Sequence, residues 1–260
     1  MYFAGIDIGS LSTEAVLVDE AGKVLASRIA ETGANAVAAG EACFHGLLEQ
    51  AGLGRADVGM AVATGYGRVS APFADAKVTE ITCHARGVKS MYPCARTVLD
   101  IGGQDSKAMR LDGSGAVVDF AMNDKCAAGT GRFLEVMARA LGVDLDSMAE
   151  VSARSTQKVT VASICTVFAE SEVISLVARA TPIPDILAGI HDAVAARTMP
   201  LLQRVGTAPD VVMCGGVAKN RAVVDRFTER LGMRVLVPEE PRLTGAIGAA
   251  LIARDRHPGP

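Results

Sequence analysis

Phe3-Ala-Gly-Ile-Asp-Ile-Gly-Ser10 returns in altered form as Thr97-Val-Leu-Asp-Ile-Gly-Gly-Gln-Asp105, and Val211-Val-Met-Cys-Gly-Gly216 has the same build. Each is a short apolar run, then an acidic residue or cysteine, then glycine. Short Val/Ile-rich runs favour buried strands, and glycine admits the positive φ that a tight turn after a strand often needs. The first two runs also continue alike. Thr13, Val16 and Val18 lead into Glu20-Ala-Gly22, and Ser106 to Asp112 leads into Gly113-Ser-Gly115, so each Asp-x-Gly strand is expected to feed a hairpin. The recurrence points to a duplicated α/β unit, with two ordinary hairpins of one sheet as the alternative.

The composition narrows the function classes. Of 260 residues, 50% are apolar and 21% charged, with a net charge of −3. That describes a globule with ample core and excludes binding of a nucleic-acid backbone through bulk charge. No apolar stretch reaches the roughly 18 residues of a membrane span, and Asp7 interrupts any secretory leader pattern at the start. Six cysteines are too sparse for a disulfide scaffold, so a reduced cytoplasm is the expected setting. Helices are expected over 34–53, 130–141, 166–180, 185–205 and 245–254, with Pro182 and Pro184 stopping the third.

An aspartate at the end of a buried strand, followed by Gly9, Ser10, Leu11, Ser12 and Thr13, offers a carboxylate for a metal ion beside N–H groups and hydroxyls suited to phosphate oxygens. Asp100, Gly102, Gly103, Gln104 and Asp105 repeat the arrangement, and Gln104 is of the type that orients a water for in-line attack. With Gly215 and Gly216 near the other end of the chain, the pattern points to a nucleotide cleft. Neither the G-x-x-x-x-G-K-[ST] phosphate loop nor the dinucleotide fingerprint is present.

The thiols divide by position. Cys43 lies among the apolar residues of a helix and Cys214 ends an apolar strand, so both read as packing residues. Cys83 and Cys94 flank a segment with His84 whose spacing is wrong for a common zinc finger, and they too are expected to pack. Cys126, next to Lys125, and Cys165 each stand just ahead of an expected helix, where N–H groups and the helix dipole favour the metal-binding thiolate. Spacing alone leaves two readings of this pair: a buried or redox-active pair, or half of a four-thiolate site completed across a homodimer axis.

Asp7-Ile-Gly-Ser-Leu-Ser-Thr13, Asp100-Ile-Gly-Gly-Gln-Asp105 and Cys214-Gly-Gly-Val217 resemble the two phosphate loops and the adenosine motif of the sugar kinase, Hsp70 and actin superfamily. Asn123-Asp-Lys-Cys-Ala-Ala-Gly-Thr-Gly-Arg-Phe-Leu-Glu135 and Cys165-Thr-Val-Phe-Ala-Glu-Ser-Glu-Val-Ile174 resemble the signature of the ATP-dependent activators of 2-hydroxyacyl-CoA dehydratases and the ATPase subunits of benzoyl-CoA reductase (the BadF/BadG/BcrA/BcrD family). Ala63-Thr-Gly-Tyr-Gly-Arg68, Thr79-Glu-Ile-Thr82 and Thr244-Gly-Ala-Ile-Gly-Ala-Ala250 extend the likeness through nearly the whole chain.

The resemblance implies an α/β fold of two ribonuclease-H-like lobes around ATP, the first formed by 1–95 with 240–260 and the second by 96–239. It implies magnesium held by Asp7 and Asp100, a water positioned by Gln104 or Asp105, and a nucleoside held by Gly129, Thr130, Gly131, Glu135, Gly215, Gly216 and Val217. It also implies one [4Fe–4S] cluster per homodimer, held by Cys126 and Cys165 of each subunit. The implied activity is ATP-driven donation of single electrons from ferredoxin or flavodoxin to a partner dehydratase or reductase that carries its own iron–sulfur cluster. A benzoyl-CoA reductase or a double-cubane cluster reductase is the alternative acceptor. A small-molecule kinase would share the lobes but needs insertions for which this length leaves little room. Glu14 and Arg242 depart from the family pattern, which has lysine and glutamine there.

Overall fold

In the computed structural model, which describes residues 1–124, 126–162 and 165–257, the duplication is literal. The first sheet comprises β1 (Tyr2–Ile8), β2 (Ser12–Asp19), β3 (Val24–Glu31), β4 (Val58–Thr64) and β5 (Ala76–Lys77), in the order β3-β2-β1-β4-β5. β6 (Thr97–Ile101), β7 (Ser106–Leu111), β8 (Val117–Asn123), β9 (Val211–Cys214) and β10 (Val235–Leu236) form the second, in the order β8-β7-β6-β9-β10. β1 pairs antiparallel with β2 and parallel with β4, and β6 treats β7 and β9 the same way. The alternative of one shared sheet is thereby overturned.

Side-chain alternation assigns each strand's two faces. Ala4, Ile6, Ile8, Ala15 and Leu17 pack against Phe44 and Leu47 of α1 (Ala36–Ala51). Phe3, Val16, Val18 and Val62, on the opposite face, meet Ala246, Ala249 and Ala250 of α8 (Thr244–Arg256). The second sheet buries Leu99, Ile101, Ala108 and Met213 with α3 (Gly131–Leu141), α4 (Met148–Ser152), α5 (Thr166–Ala178), α6 (Ile183–Val205) and α7 (Arg221–Leu231). Its other face, Val98, Met109 and Val212, receives Ala85 and Val88 of α2 (Glu80–Met91).

α2 therefore stands between the sheets, packed on α8 by one side and on the second sheet by the other. Its crossing with α8 is close because it is built from glycine: a Cβ at Gly87 would strike the carbonyl of Thr244, and one at Gly248 the carbonyl of Cys83. Neither α2 nor α7 is legible as a helix in the sequence, since Cys83, His84 and Gly87 interrupt the first pattern and charge dominates the second. α6 begins at Ile183 rather than Asp185, because proline needs no N–H partner in a first helical turn and Pro184 sits there without penalty. Among the described residues, no helix is long and apolar enough to cross a membrane.

Candidate functional site

A cavity of about 1130 Å³ opens between the sheets, lined from both by the β1–β2 and β6–β7 loops. The two loops make the same turn: Gly9 N–H donates to the Ser12 carbonyl at 3.0 Å, and Gly102 N–H to the Asp105 carbonyl at 3.0 Å. They also touch, Leu11 packing where a Cβ on Gly103 would have to go. At each loop's base a strand-end carboxylate points inward, because period-2 alternation places Asp7 on the face of Phe3 and Asp100 on that of Val98. Each carboxylate is approached by a glycine of the neighbouring parallel strand's end, Gly65 (φ +84) and Gly215 (φ +82). A side chain at Gly65 would collide with Asp7 and the Ile8 carbonyl; one at Gly215 would collide with Asp100 and the Ile101 carbonyl.

α2 brings charge to this pair. His84 Nε2 lies 3.7 Å from Asp100 Oδ2 and 4.0 Å from Asp7 Oδ2, so one imidazole faces both lobes. Lys107, only 3% exposed, joins Glu80 of α2 at 2.6 Å to Asp105 at 2.8 Å and Asp100 at 3.4 Å. The two aspartates consequently differ. Burial pushes the Asp7 carboxyl up to about 8, only partly offset by His84. Burial works against Asp100 too, but His84 and Lys107 beside it hold it below the usual carboxylate range. Burial likewise drives Glu14 up to about 7 and raises Asp105. Burial opposes the charge of Lys107, yet Asp100, Glu80 and Asp105 raise its pKa. The site thus holds two buried carboxyl groups of unequal acidity at equivalent strand ends, and a fixed ammonium beside the second loop.

The cavity gathers Asp7, Asp100, Gln104 and Asp105, the glycines 9, 102, 103, 131, 215 and 216, and Ser10, Leu11, Ser12, Glu135 and Val217. Thr13, Gly129 and Thr130 do not line it. Thr13 is fully buried in β2 and its hydroxyl bonds that of Thr32 at 2.9 Å. Thr130 Oγ1 instead donates to the carbonyls of Gly103 at 3.0 Å and Ala127 at 2.6 Å. Gly131 and Arg132 N–H groups donate to the carbonyls of Gly102 and Gly103, both at 2.9 Å, so the start of α3 is bonded to the second loop.

Cys165 caps α5, as the sequence suggests, but Cys126 falls in the segment between β8 and α3, short of the helix start at Gly131. Both are half-buried free thiols, and neither lines the cavity. Lys125, Ser163 and Ile164 lie outside the described residues. Cys43 and Cys83 are buried as expected, whereas Cys94 is exposed: it follows the end of α2, beyond the packed face, and is not a core residue. Cys214 is buried but does more than pack, its Sγ lying 3.6 Å from His84 Nδ1 and 3.7 Å from Asp100 Oδ1. His84, Asp100 and Cys214 thus offer ligand atoms within 4.8 Å of one another. Sequence reasoning missed His84, Glu80 and Lys107. The available signals were a Glu and a His one helical turn apart and a lysine inside an apolar strand.

A family model described as the BadF/BadG/BcrA/BcrD ATPase family matches residues 4–253. The activator of lactoyl-CoA dehydratase from Anaerotignum propionicum is 47% identical over 253 residues, covering 97% of this chain and 97% of that protein. Among solved structures, the activator of the 2-hydroxyisocaproyl-CoA dehydratase from Clostridium difficile with bound ADPNP superposes with a TM-score of 0.94 at 44% identity, covering 99% of this chain and 96% of that one. A ROK family glucokinase from Streptomyces griseus, 17% identical with a TM-score of 0.61 over 98% of this chain and 100% of its own, shares the two-lobed fold alone.

Proposed function

The chain belongs to the BadF/BadG/BcrA/BcrD ATPase family, and from that premise we propose that it is an ATP-driven one-electron donor to a 2-hydroxyacyl-CoA dehydratase. The residues of the cavity fit a magnesium nucleotide. Two inward carboxylates stand at the ends of parallel strands, and glycines leave room beside them that a side chain would fill. Asp7 and Asp100 hold the ion, mostly through water. With the Gly9 and Gly102 N–H groups closing the turns, N–H groups of Ser10 to Ser12 and Gly103 to Asp105 bind phosphate oxygens, Gln104 or Asp105 orients the attacking water, and Gly131, Glu135 and Gly215 to Val217 hold the nucleoside.

Cys126 and Cys165 fit half of a shared cluster. Two half-exposed thiols precede helices α3 and α5, which pack on one core, and four thiolates are needed where one chain supplies two. A [4Fe–4S] cluster bound there by two subunits would store the single electron taken from ferredoxin or flavodoxin. Among the observations, one carries this reading: the second phosphate loop is bonded directly to the first turn of α3, the helix that follows the Cys126 segment. A change at Gly102 and Gly103 when nucleotide binds or is hydrolysed is thereby passed to the cysteine segment, where hydrogen bonding and exposure set the driving force.

Anaerobic reconstitution should give about four iron and about four sulfide per dimer, with Cys126→Ser losing them. Iron-free wild-type protein, or a cluster retained by Cys126→Ser, would overturn the reading.

A further inference from the structure

Glu14 stands directly opposite Asp7 in the β1–β2 ladder, so the two carboxylates share the inner face of the sheet as cross-strand neighbours. It is 4% exposed, it lines the cavity, and its Oε1 has no hydrogen-bond partner among the described residues. A buried carboxylate oxygen without a donor is costly unless the functional state supplies a cation.

Ser12 hydrogen-bonds the Glu14 side chain and Arg242 favours its charge from a distance, but no lysine or arginine forms an ion pair with it among the described residues. Nine carboxylate side chains line the cavity against four lysines and arginines. Arg68 pairs with Glu80, and Lys107 with Glu80, Asp100 and Asp105, all on the side of α2 and the second lobe. Arg242, the guanidinium on Glu14's side of the cavity, is held by two hydrogen bonds of 2.8 Å to Glu240, which Lys219 also faces at 3.9 Å. Asp7 has only His84, at 4.0 Å. The first lobe therefore presents two carboxylates without lysine or arginine within ion-pairing distance, to a ligand that itself carries about four negative charges. One divalent ion leaves that surplus uncorrected.

We propose that Glu14 and Asp7 form a second cation site, for a small oxygen-ligated divalent ion of the magnesium or manganese class, which neutralises the nucleotide phosphates from the first-lobe side. The donor set is all oxygen, which selects hard cations over soft ones. Asp7 would then serve both ions, and paired cations would supply charge neutralisation on both sides of a transferring phosphoryl group. The proposal rests on the reading of the cavity as a magnesium-nucleotide site.

The test counts manganese bound to the holo-dimer with ADP-imidodiphosphate present, by the electron paramagnetic resonance of the free ion. Wild type is expected to take up two ions per chain, while Glu14→Gln, close to isosteric, takes up one and still binds nucleotide. Glu14→Lys, whose ammonium replaces the cation, is also expected to take up one. One ion per chain in wild type, or two in Glu14→Gln, overturns the second site and leaves the nucleotide reading intact. No nucleotide bound by wild type, with no ion taken up, would instead sink the reading on which it rests.

Discussion

At the scale of single residues, environment decides what identical side chains do. Asp7 and Asp100 occupy equivalent places in two copies of one unit, yet the second has Lys107 and the first does not, so burial prevails at one and charge at the other. A similar balance makes a prediction at His191, a buried α6 residue whose Nε2 bonds the Asn220 side-chain amide at 3.1 Å. Burial, helped by Arg226, pushes this imidazole down to about 4 from its ordinary 6.5. As pH falls through 6.5 the unfolded chain takes a proton that the native state refuses until about 4, so the stability is present above 6.5 and is lost between these values. The loss approaches about 3 kcal/mol. His191→Gln keeps an acceptor for Asn220 without the titration, and urea midpoints measured from pH 7 to 4 should fall less steeply than in wild type. Parallel slopes would refute the assignment.

At the scale of elements, two joints connect the cavity to the helices around it: the glycine-lined crossing of α2 with α8, and the hydrogen bonds from the start of α3 to the β6–β7 loop. The second can be loosened without touching the cavity. Thr130→Val removes the hydroxyl bonds to Gly103 and Ala127 and should cost about 1 kcal/mol in unfolding free energy. If this joint couples hydrolysis to electron delivery, the number of ATP molecules hydrolysed per electron delivered should rise roughly tenfold. An unchanged ratio, measured with partner enzyme and reductant present, would show that coupling runs elsewhere. α2 escaped the sequence reading because its glycine and cysteine serve tertiary contact rather than an apolar stripe on one face. Its His84 and Glu80 escaped with it.

At the scale of the whole molecule, α5 carries an apolar surface that the single chain leaves uncovered: Val167 is 65% exposed, Phe168 68% and Ile174 56%. Patches of this kind mark interfaces, and this one begins beside Cys165. If the chain forms the proposed dimer through this face, Phe168→Glu is expected to give monomer in sedimentation velocity where wild type gives dimer, and to abolish assembly of the proposed cluster. A dimer that persists with full iron content would separate this face from the shared site. The paired strand-and-turn units, and Cys165 at the head of α5, were legible in the sequence because each depends on neighbours along the chain: apolar alternation, a glycine turn, a thiol before a helix.

The sequence by itself determined the duplicated unit and most of the residues at its loops, since a strand followed by a turn is a local structure with a local signature. Only the tertiary structure decided which of those residues face the cavity. It withdrew Thr13, Gly129 and Thr130 from the lining and set Thr130 to work as a strut under Gly103. It brought in Glu80, His84, Lys107 and Glu14, whose roles arise from residues distant in sequence. The physical reason is electrostatic: the charge a buried group holds depends on what the opposite lobe places within a few ångströms of it, and no stretch of sequence records that distance.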